Sequence, residues 1–335
     1  MPRIGTNPNR GQEVQFKPAR VTVAVLVYAP SRTGYFQDRL EVTRLTIESI
    51  LVNTRIPFNL LVFDNGSCSE MVSFLQSLYA QGKIDQLLLS KANIGKLNAL
   101  YQIFQAAHGE VVAYTDDDVY HLPGWLEAHL EVLDTFPNVG AVTGFYIKQR
   151  VAMSSESTLK FAEKQAESVR RGQLIPRKWE EEYLDNTGRT EERYQGEISG
   201  IEDIIVGWHG LEAWVSAHHF QFLSTKKVML PIFAEMLPEG WSDQLMGRMV
   251  EMDDLIDSKG YLRLTTLEQT VMLLGNAINQ EMAAVAKSHG VGTVNAAVQD
   301  SKAGRGHTIA KNRIIQKGIH AVINYLYKLV NDTRE

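Results

Sequence analysis

Val21-Thr-Val-Ala-Val-Leu-Val27 is a seven-residue run, almost entirely apolar and rich in β-branched side chains. Continuous apolar character, rather than alternation, is the pattern of a strand buried on both faces of a parallel sheet. Working outward, the chain repeats the theme three times. Phe58 to Phe63, Ile84 to Leu89 and Glu110 to Tyr114 read as further buried strands. Between them lie segments with helical spacing over 40–53, 71–79 and 96–107. Gly109 is expected to cap the third helix. The alternation predicts an α/β fold: a doubly wound, mostly parallel sheet flanked by helices.

In such sheets ligands gather at the carboxyl ends of the strands. Tyr28-Ala29-Pro30, Asp64-Asn-Gly-Ser67 and Asp116-Asp117-Asp118 all fall there. Three consecutive aspartates repel one another unless a cation neutralises them. A hard divalent ion, Mg²⁺ or Mn²⁺, would do so through oxygen ligands; a solvated acidic turn is the plain alternative. Asp64 is either a turn residue or an acceptor for a nucleobase N–H. Lys96, opening a helix after Asn93-Ile-Gly95, would suit a diphosphate.

The bulk numbers limit the field. The chain has 335 residues, of which 44% are hydrophobic and 22% charged, with a net charge of −5. That balance gives no reason to expect nucleic acid as a partner. A single cysteine, Cys68, excludes an intramolecular disulfide and reads as a bystander thiol. No stretch reaches the ~18 apolar residues of a membrane span. Residues 1–20 are polar, lack the apolar core of a secretory leader and read as a flexible tail. A cytoplasmic location is expected, with peripheral membrane contact and a homo-oligomer left open.

Past residue 145 the rhythm changes. Residues 154–200 are polar and charged, with a helix expected over 156–171, and read as an insertion or mobile lid rather than core. Helices are expected over 241–252, 269–287 and 308–330, with an extended segment over 262–267. The last helix carries Lys311, Arg313, Lys317 and Lys328 beside its apolar stripe and could pack on the domain, a subunit or a membrane.

The ordered set Val21 to Tyr28, Thr46 to Leu51, Leu61 to Ser67, Asn93 to Asn98, Gly109 to Asp118 and Leu122 to Leu126 resembles the donor half of a family 2 glycosyltransferase with the GT-A fold. The resemblance implies a donor half over 21–145, a divergent acceptor half over 146–270 and a C-terminal helical extension over 271–335. It implies a nucleoside-diphosphate sugar donor, with UDP or GDP, and a glycan, lipid or small-molecule acceptor. Asp64 would contact the base, and Tyr28, Ala29 and Pro30 would line its pocket. Asn93 and Lys96 would serve the donor. Asp116 and Asp118 would be the outer pair of a DxD motif, Asp118 the metal ligand, with Asp117 an alternative for the ribose.

Further along, Leu237-Pro-Glu-Gly-Trp-Ser-Asp243 resembles the segment bearing the family's catalytic base, which maps to Asp243 opening a helix. The family's usual Glu-Asp pair is Ser242-Asp243 here, and Glu239, Asp253 and Asp254 are rivals. In some GT-A enzymes a C-terminal loop supplies a histidine to the metal and basic groups to the diphosphate, roles open to His307 and Arg305. His218 and His219 flank a strand, one expected in the core and the other at the acceptor site. Trp208, Trp214 and Trp241 could stack on sugars or pack internally. Sugar-phosphate nucleotidyl transfer and a non-catalytic glycan-binding protein are the competing readings.

Overall fold

The computed structural model describes residues 5–7 and 9–292. β1 (Val21–Val27), α1 (Arg39–Asn53), β2 (Phe58–Asn65), α2 (Ser69–Ala80), β3 (Gln86–Ser90), α3 (Lys96–Ala106) and β4 (Val111–Asp116) follow one another along the chain. Their strands pair in the order β3-β2-β1-β4, every pair parallel. All seven residues of β1 are buried, which is why the run carries no polar interruption beyond Thr22. Val21, Val23, Val25 and Val27 pack with Ile47 and Ile50 on one side of the sheet. Ala24 and Leu26 pack with Leu100 and Phe104 on the other. The Thr22 hydroxyl accepts from the Gly109 amide at 2.9 Å. Gly109 is therefore not the cap of α3. It lets the backbone approach β1 closely, since a Cβ there would sit 2.5 Å from the Arg20 carbonyl oxygen.

The chain continues through β5 (Val119–His121), α4 (Trp125–Thr135), β6 (Val139–Thr143), α5 (Glu156–Lys164), β7 (Ser168–Gly172), α6 (Arg177–Thr187) and α7 (Glu191–Ile198). It then runs through β8 (Asp203–Trp208), β9 (Leu211–Val215), β10 (Gln221–Thr225), α8 (Lys226–Met236), α9 (Met249–Ser258), β11 (Leu262–Thr266), β12 (Val271–Leu273) and α10 (Gln280–Ser288). Beyond β4 the large sheet extends as β10-β6-β11-β9-β8-β7. β10 lies antiparallel between β4 and β6, and β6 pairs parallel with β11. β5 and β12 form a separate antiparallel pair.

Three helical expectations fail for identifiable reasons. The helix expected over 156–171 stops at Lys164, and 168–172 is an edge strand antiparallel to β8. Arg170 and Arg171 gave it a helical, solvated look, but charge is also how an edge strand resists further pairing. The helix expected over 241–252 begins only at Met249, because backbone groups of 242–245 are bonded to α3 and its Lys96 amide. The helix expected over 269–287 is broken into β12 and α10. Gly275 takes a left-handed φ of 63° between them, and the Asn279 side chain caps α10 by accepting from the Met282 amide.

Residues 154–200 are also more than a lid. Tyr183, Leu184, Tyr194 and Ile198 join Val119 and Phe145 in a buried cluster. At the other end of the chain the N-terminal segment is tied down before β1. Phe16 meets the His108 ring edge-on, the Ala19 amide donates to Asn59, and Arg20 pairs with Asp134 at 2.6 Å. Leu274, Met282, Ala286 and Val291 pack on Val42, Leu45 and Tyr120. Arg305, His307 and the helix expected over 308–330 lie outside the described residues.

Candidate active site at the carboxyl edge of the sheet

β1 is flanked by β2 and β4, so Asp64 stands opposite Val27 and Asp116 opposite Leu26. Two strand spacings, roughly 10 Å, separate the two acids. Asp64 is fully buried. Its Oδ2 accepts from the Gly66 and Ser67 amides at 3.3 and 3.2 Å, which forms the turn. Its Oδ1 is buried and has no partner. Burial pushes this carboxyl above its usual range, against the pull of the Ser67 and Gly66 bonds. An unsatisfied buried acceptor is costly, and one at a sheet's carboxyl edge is ready for a donor N–H.

The residues beside it divide. The Ala29 amide donates to Ser67 Oγ and its carbonyl accepts from the Cys68 amide, so this buried residue has no backbone group left for a base. Tyr28 is half-buried and Pro30 exposed. Cys68 sits at the head of α2 as a half-buried free thiol.

The three aspartates have separate environments. Asp116 accepts from the Tyr114 hydroxyl and, at 2.7 Å, from Lys96 Nζ. Burial and the neighbouring Asp116 hold the Tyr114 hydroxyl far above its ordinary value, so it stays a donor. Asp117 turns inward. Its carboxylate accepts from Arg39 at 3.2 Å and from the Thr43 hydroxyl at 3.0 Å, and its carbonyl from Thr46. A ribose-binding role for Asp117 does not fit, because both carboxylate oxygens are engaged in the interior. Burial pushes Asp117 upward and Arg39 opposes that shift. Asp118 accepts from Arg39 at 2.8 Å through Oδ2, while Oδ1 accepts from no described residue. Its carboxyl is raised by burial and by Asp116, with Arg39 pulling the other way.

Arg39 is the residue that sequence reasoning missed. It opens α1, is buried, and bridges Asp117, Asp118 and the Asn276 side chain. A basic residue at the start of a helix, where the dipole disfavours it, was the one available signal.

Among the described residues no group of three or more His, Cys, Asp or Glu side chains could hold a metal ion. Asp116 and Asp118 nonetheless suit a hard divalent cation, which is commonly held by one or two carboxylates plus waters and phosphate oxygens. Of the two, Asp118 alone has a carboxylate oxygen that accepts from no described residue.

The start of α3 is not open for an anion. The Lys96 amide donates to the Leu245 carbonyl at 3.0 Å, and a Cβ on Gly95 would lie 2.5 Å from the Gln244 carbonyl oxygen. The Asn93 side-chain oxygen accepts from Asn65 and from the Gly95 amide, while its NH2 group donates to no described residue. Lys96 therefore has only its ammonium group to offer a ligand, and that group already donates to Asp116. The segment that blocks the helix carries Asp243. Asn98 fixes the preceding residue from both sides, donating to the Ser242 carbonyl at 2.6 Å and accepting its amide at 2.9 Å. Asp243 is exposed and lines a groove with Glu239, Trp241 and Arg248. It does not open a helix. Of its rivals, Asp253 is buried and occupied by Arg263, His219 and Arg150, and Asp254 accepts from Ser154.

Because β10 runs antiparallel to β4, its first residues arrive where β4 ends. The Asp116 amide donates to the Phe220 carbonyl at 2.8 Å. His218 and Phe220 thereby join Asp116 and Asp118 around a cavity of about 320 Å³, closed by Arg150, Tyr183 and Arg189. The cavity unites Asp116 and Asp118 but includes neither Asp64 nor Asp243. Trp214 stacks on Tyr146 in the core, and half-buried Trp208 meets Phe161 edge-on. Trp241 alone is exposed.

Comparison with known proteins bears on this arrangement. Residues 36–190 match glycosyl transferase family 2. A glucosyl-dolichyl phosphate glucuronosyltransferase from Haloferax volcanii is 27% identical over 139 residues, which is 41% of each chain. The matched segment thus spans less than half of that curated relative. Among solved structures, the mannosyltransferase PcManGT from Pyrobaculum calidifontis, in complex with GDP-Man and Mn²⁺, is 23% identical, with 43% of this chain and 41% of that one covered at a TM-score of 0.31. GalNAc-T7 with UDP, GalNAc and Mn²⁺ is 12% identical, with 80% and 47% covered at a TM-score of 0.45. Among the described residues no helix is long and apolar enough to cross a membrane.

Proposed function

Residues 36–190 match glycosyl transferase family 2, and from that match we propose that the chain moves a sugar from a nucleoside-diphosphate donor to an acceptor hydroxyl. The observation that carries the reading is the unpartnered, buried Asp64 Oδ1, set across β1 from Asp116. A uracil or guanine N–H would satisfy it, and half-buried Tyr28 and exposed Pro30 would flank the base. Asp116 and Asp118 then lie toward the diphosphate.

A divalent ion held between Asp116 and Asp118 would supply positive charge to the departing diphosphate. Lys96 holds Asp116 and Arg39 holds Asp118, which fixes the two carboxylates before any ligand arrives. Asp243 takes the acceptor proton during attack, since a hydroxyl is a poor nucleophile until that proton leaves. Its accessible carboxylate and the double Asn98 anchor support that role over buried Asp253. Attack by the hydroxyl oxygen on the anomeric carbon breaks the bond to the diphosphate in one displacement, which inverts the centre.

Calorimetric titration of UDP and GDP, with and without Mn²⁺, tests the reading on wild type, Asp64→Ala and Asp118→Ala. One nucleotide should bind in a metal-strengthened manner. Asp64→Ala should weaken it about tenfold or more, as expected for a lost hydrogen bond to a charged group. Asp118→Ala should abolish the metal effect. A wild type that binds neither nucleotide would sink the proposal.

A further inference from the structure

The cavity beside Asp116 and Asp118 is lined by two acids and two arginines, and neither arginine is paired with those acids. Its two aspartates are answered by Lys96 and Arg39, neither of which lines it. Arg150 and Arg189 do line it, and each shares its acid with a second arginine. Asp253, nearest to Arg150 at 3.6 Å, is taken at 2.9 Å by Arg263 and at 2.9 Å by His219. The Arg150 Nη1 is buried and makes no hydrogen bond. Glu197 receives Arg189 Nε at 3.2 Å but also Arg193 at 2.7 Å and Gln149 at 3.2 Å. No described residue accepts from the terminal nitrogens of Arg189, whose guanidinium lies 5.0 Å from the centre of the Tyr183 ring.

His218 is the third element. It is 2% exposed, lines the same cavity and stacks on Phe220 with ring centres 3.5 Å apart. Neither of its ring nitrogens has a partner in full hydrogen-bonding geometry, although the Phe145 backbone lies near enough to one to interact with it. Burial, with His219 and Arg150 nearby, holds it well below its ordinary range, so it is neutral and offers one donor and one acceptor. Buried donors without partners are rare and call for an explanation.

Resting on the transferase reading above, we propose that Arg150 and Arg189 form an anion-recognising subsite, so that a sugar handled here carries a carboxylate or phosphate, with His218 bonding a neighbouring sugar hydroxyl. Guanidinium forks match both anions by paired N–H donors. A cavity of about 320 Å³, partly open to solvent, lies at the small end of ligand sites and has room for one sugar ring. The anion can come from the transferred sugar, as a uronate, or from the acceptor, as a sugar phosphate.

The test compares ligands that differ only in the anion. UDP-glucuronate is set against UDP-glucose, the GDP-linked sugars replacing them if guanine is the base. Separately, free glucuronate and glucose 1-phosphate are set against glucose by saturation-transfer NMR. Each is measured on wild type, Arg150→Met and Arg189→Met. Arg263 and Arg193 keep Asp253 and Glu197 paired in those variants, and unchanged UDP affinity and melting temperature check the fold. A preference of about tenfold or more for the uronate donor, collapsing toward unity in either variant, supports the subsite and assigns the anion to the donor. Selective binding of glucose 1-phosphate, lost in the variants, supports it and assigns the anion to the acceptor. Equal binding of charged and neutral ligands, or a preference that survives both substitutions, overturns it. If UDP and GDP both fail to bind, the nucleotide reading falls, and the free sugars still decide the subsite.

Discussion

Arg39→Met tests whether one buried guanidinium organises the acidic edge. Arg39 and Asp117 are 5% and 7% exposed, and their contact is 3.2 Å. Removing one partner of such a pair leaves a buried charge uncompensated, at a cost of about 3–5 kcal/mol. The contact with Asp118 adds less, because a third of that side chain faces solvent and its charge is screened. Asp117→Asn alone keeps the Thr43 bond and leaves Arg39 with Asp118 and Asn276, so it should be destabilising by less than Arg39→Met. The double variant removes both charges, and such paired replacements are often near neutral. The two single costs should therefore exceed the double cost, with a coupling of at least ~2 kcal/mol. Urea unfolding followed by tryptophan fluorescence and far-ultraviolet circular dichroism measures all four corners of the cycle. A cost below ~1 kcal/mol for Arg39→Met, or strict additivity, would refute the reasoning.

Two further expectations follow from residues away from the cavity. His121 and His129 are held down to about 3 and about 4, in both cases chiefly by burial. Both stay neutral in the fold while the unfolded chain takes up protons near pH 6.5, so stability is full above that pH and falls below it until the folded values are reached. The slope approaches about 1.4 kcal/mol per pH unit for each below pH 6.5, so the pair should remove roughly 3 kcal/mol between pH 6.5 and 5, with buried His218 adding to the fall and Asp117, raised to about 7, opposing it. Urea midpoints that stay flat across that interval would contradict this. Asn98→Ala cuts both bonds to Ser242, which should cost about 1–3 kcal/mol, speed proteolysis within 241–248 and lower transfer activity. Unchanged cleavage kinetics in that segment would show that the Lys96–Leu245 bond holds it alone.

Residues 21–116 were legible because local signals and global placement agree there. The apolar runs at 21–27, 58–63 and 110–114 each end in turn chemistry, and the parallel order β3-β2-β1-β4 leaves those ends on one edge. Asp64, Asp116 and Asp118 could be read from that logic. Arg39 could not be paired with them, since 78 residues separate it from Asp117 and no spacing rule links the two. The arrival of His218 at the end of β4 depends on β10 entering antiparallel, which no local pattern encodes. The segment 241–248 looked helical by composition, and its capture by Asn98 and Lys96 is a tertiary event. Asp117 looked like a ligand group because aspartate does the same hydrogen bonding inside a protein as at a site.

The insertion of β10 beside β4 also sets the timing of folding. β4 is the strand next to β1, yet its other neighbour is made about a hundred residues later in the chain. At ordinary translation rates of 5–20 residues per second, that edge waits roughly 5–20 s for its partner. During the wait Val111 to Thr115 presents an apolar, unpaired strand, the type of edge that recruits other chains. The waiting time belongs to the topology that delivers Phe220 and His218 to Asp116, so the cavity is assembled at the expense of a slow, exposed step in synthesis.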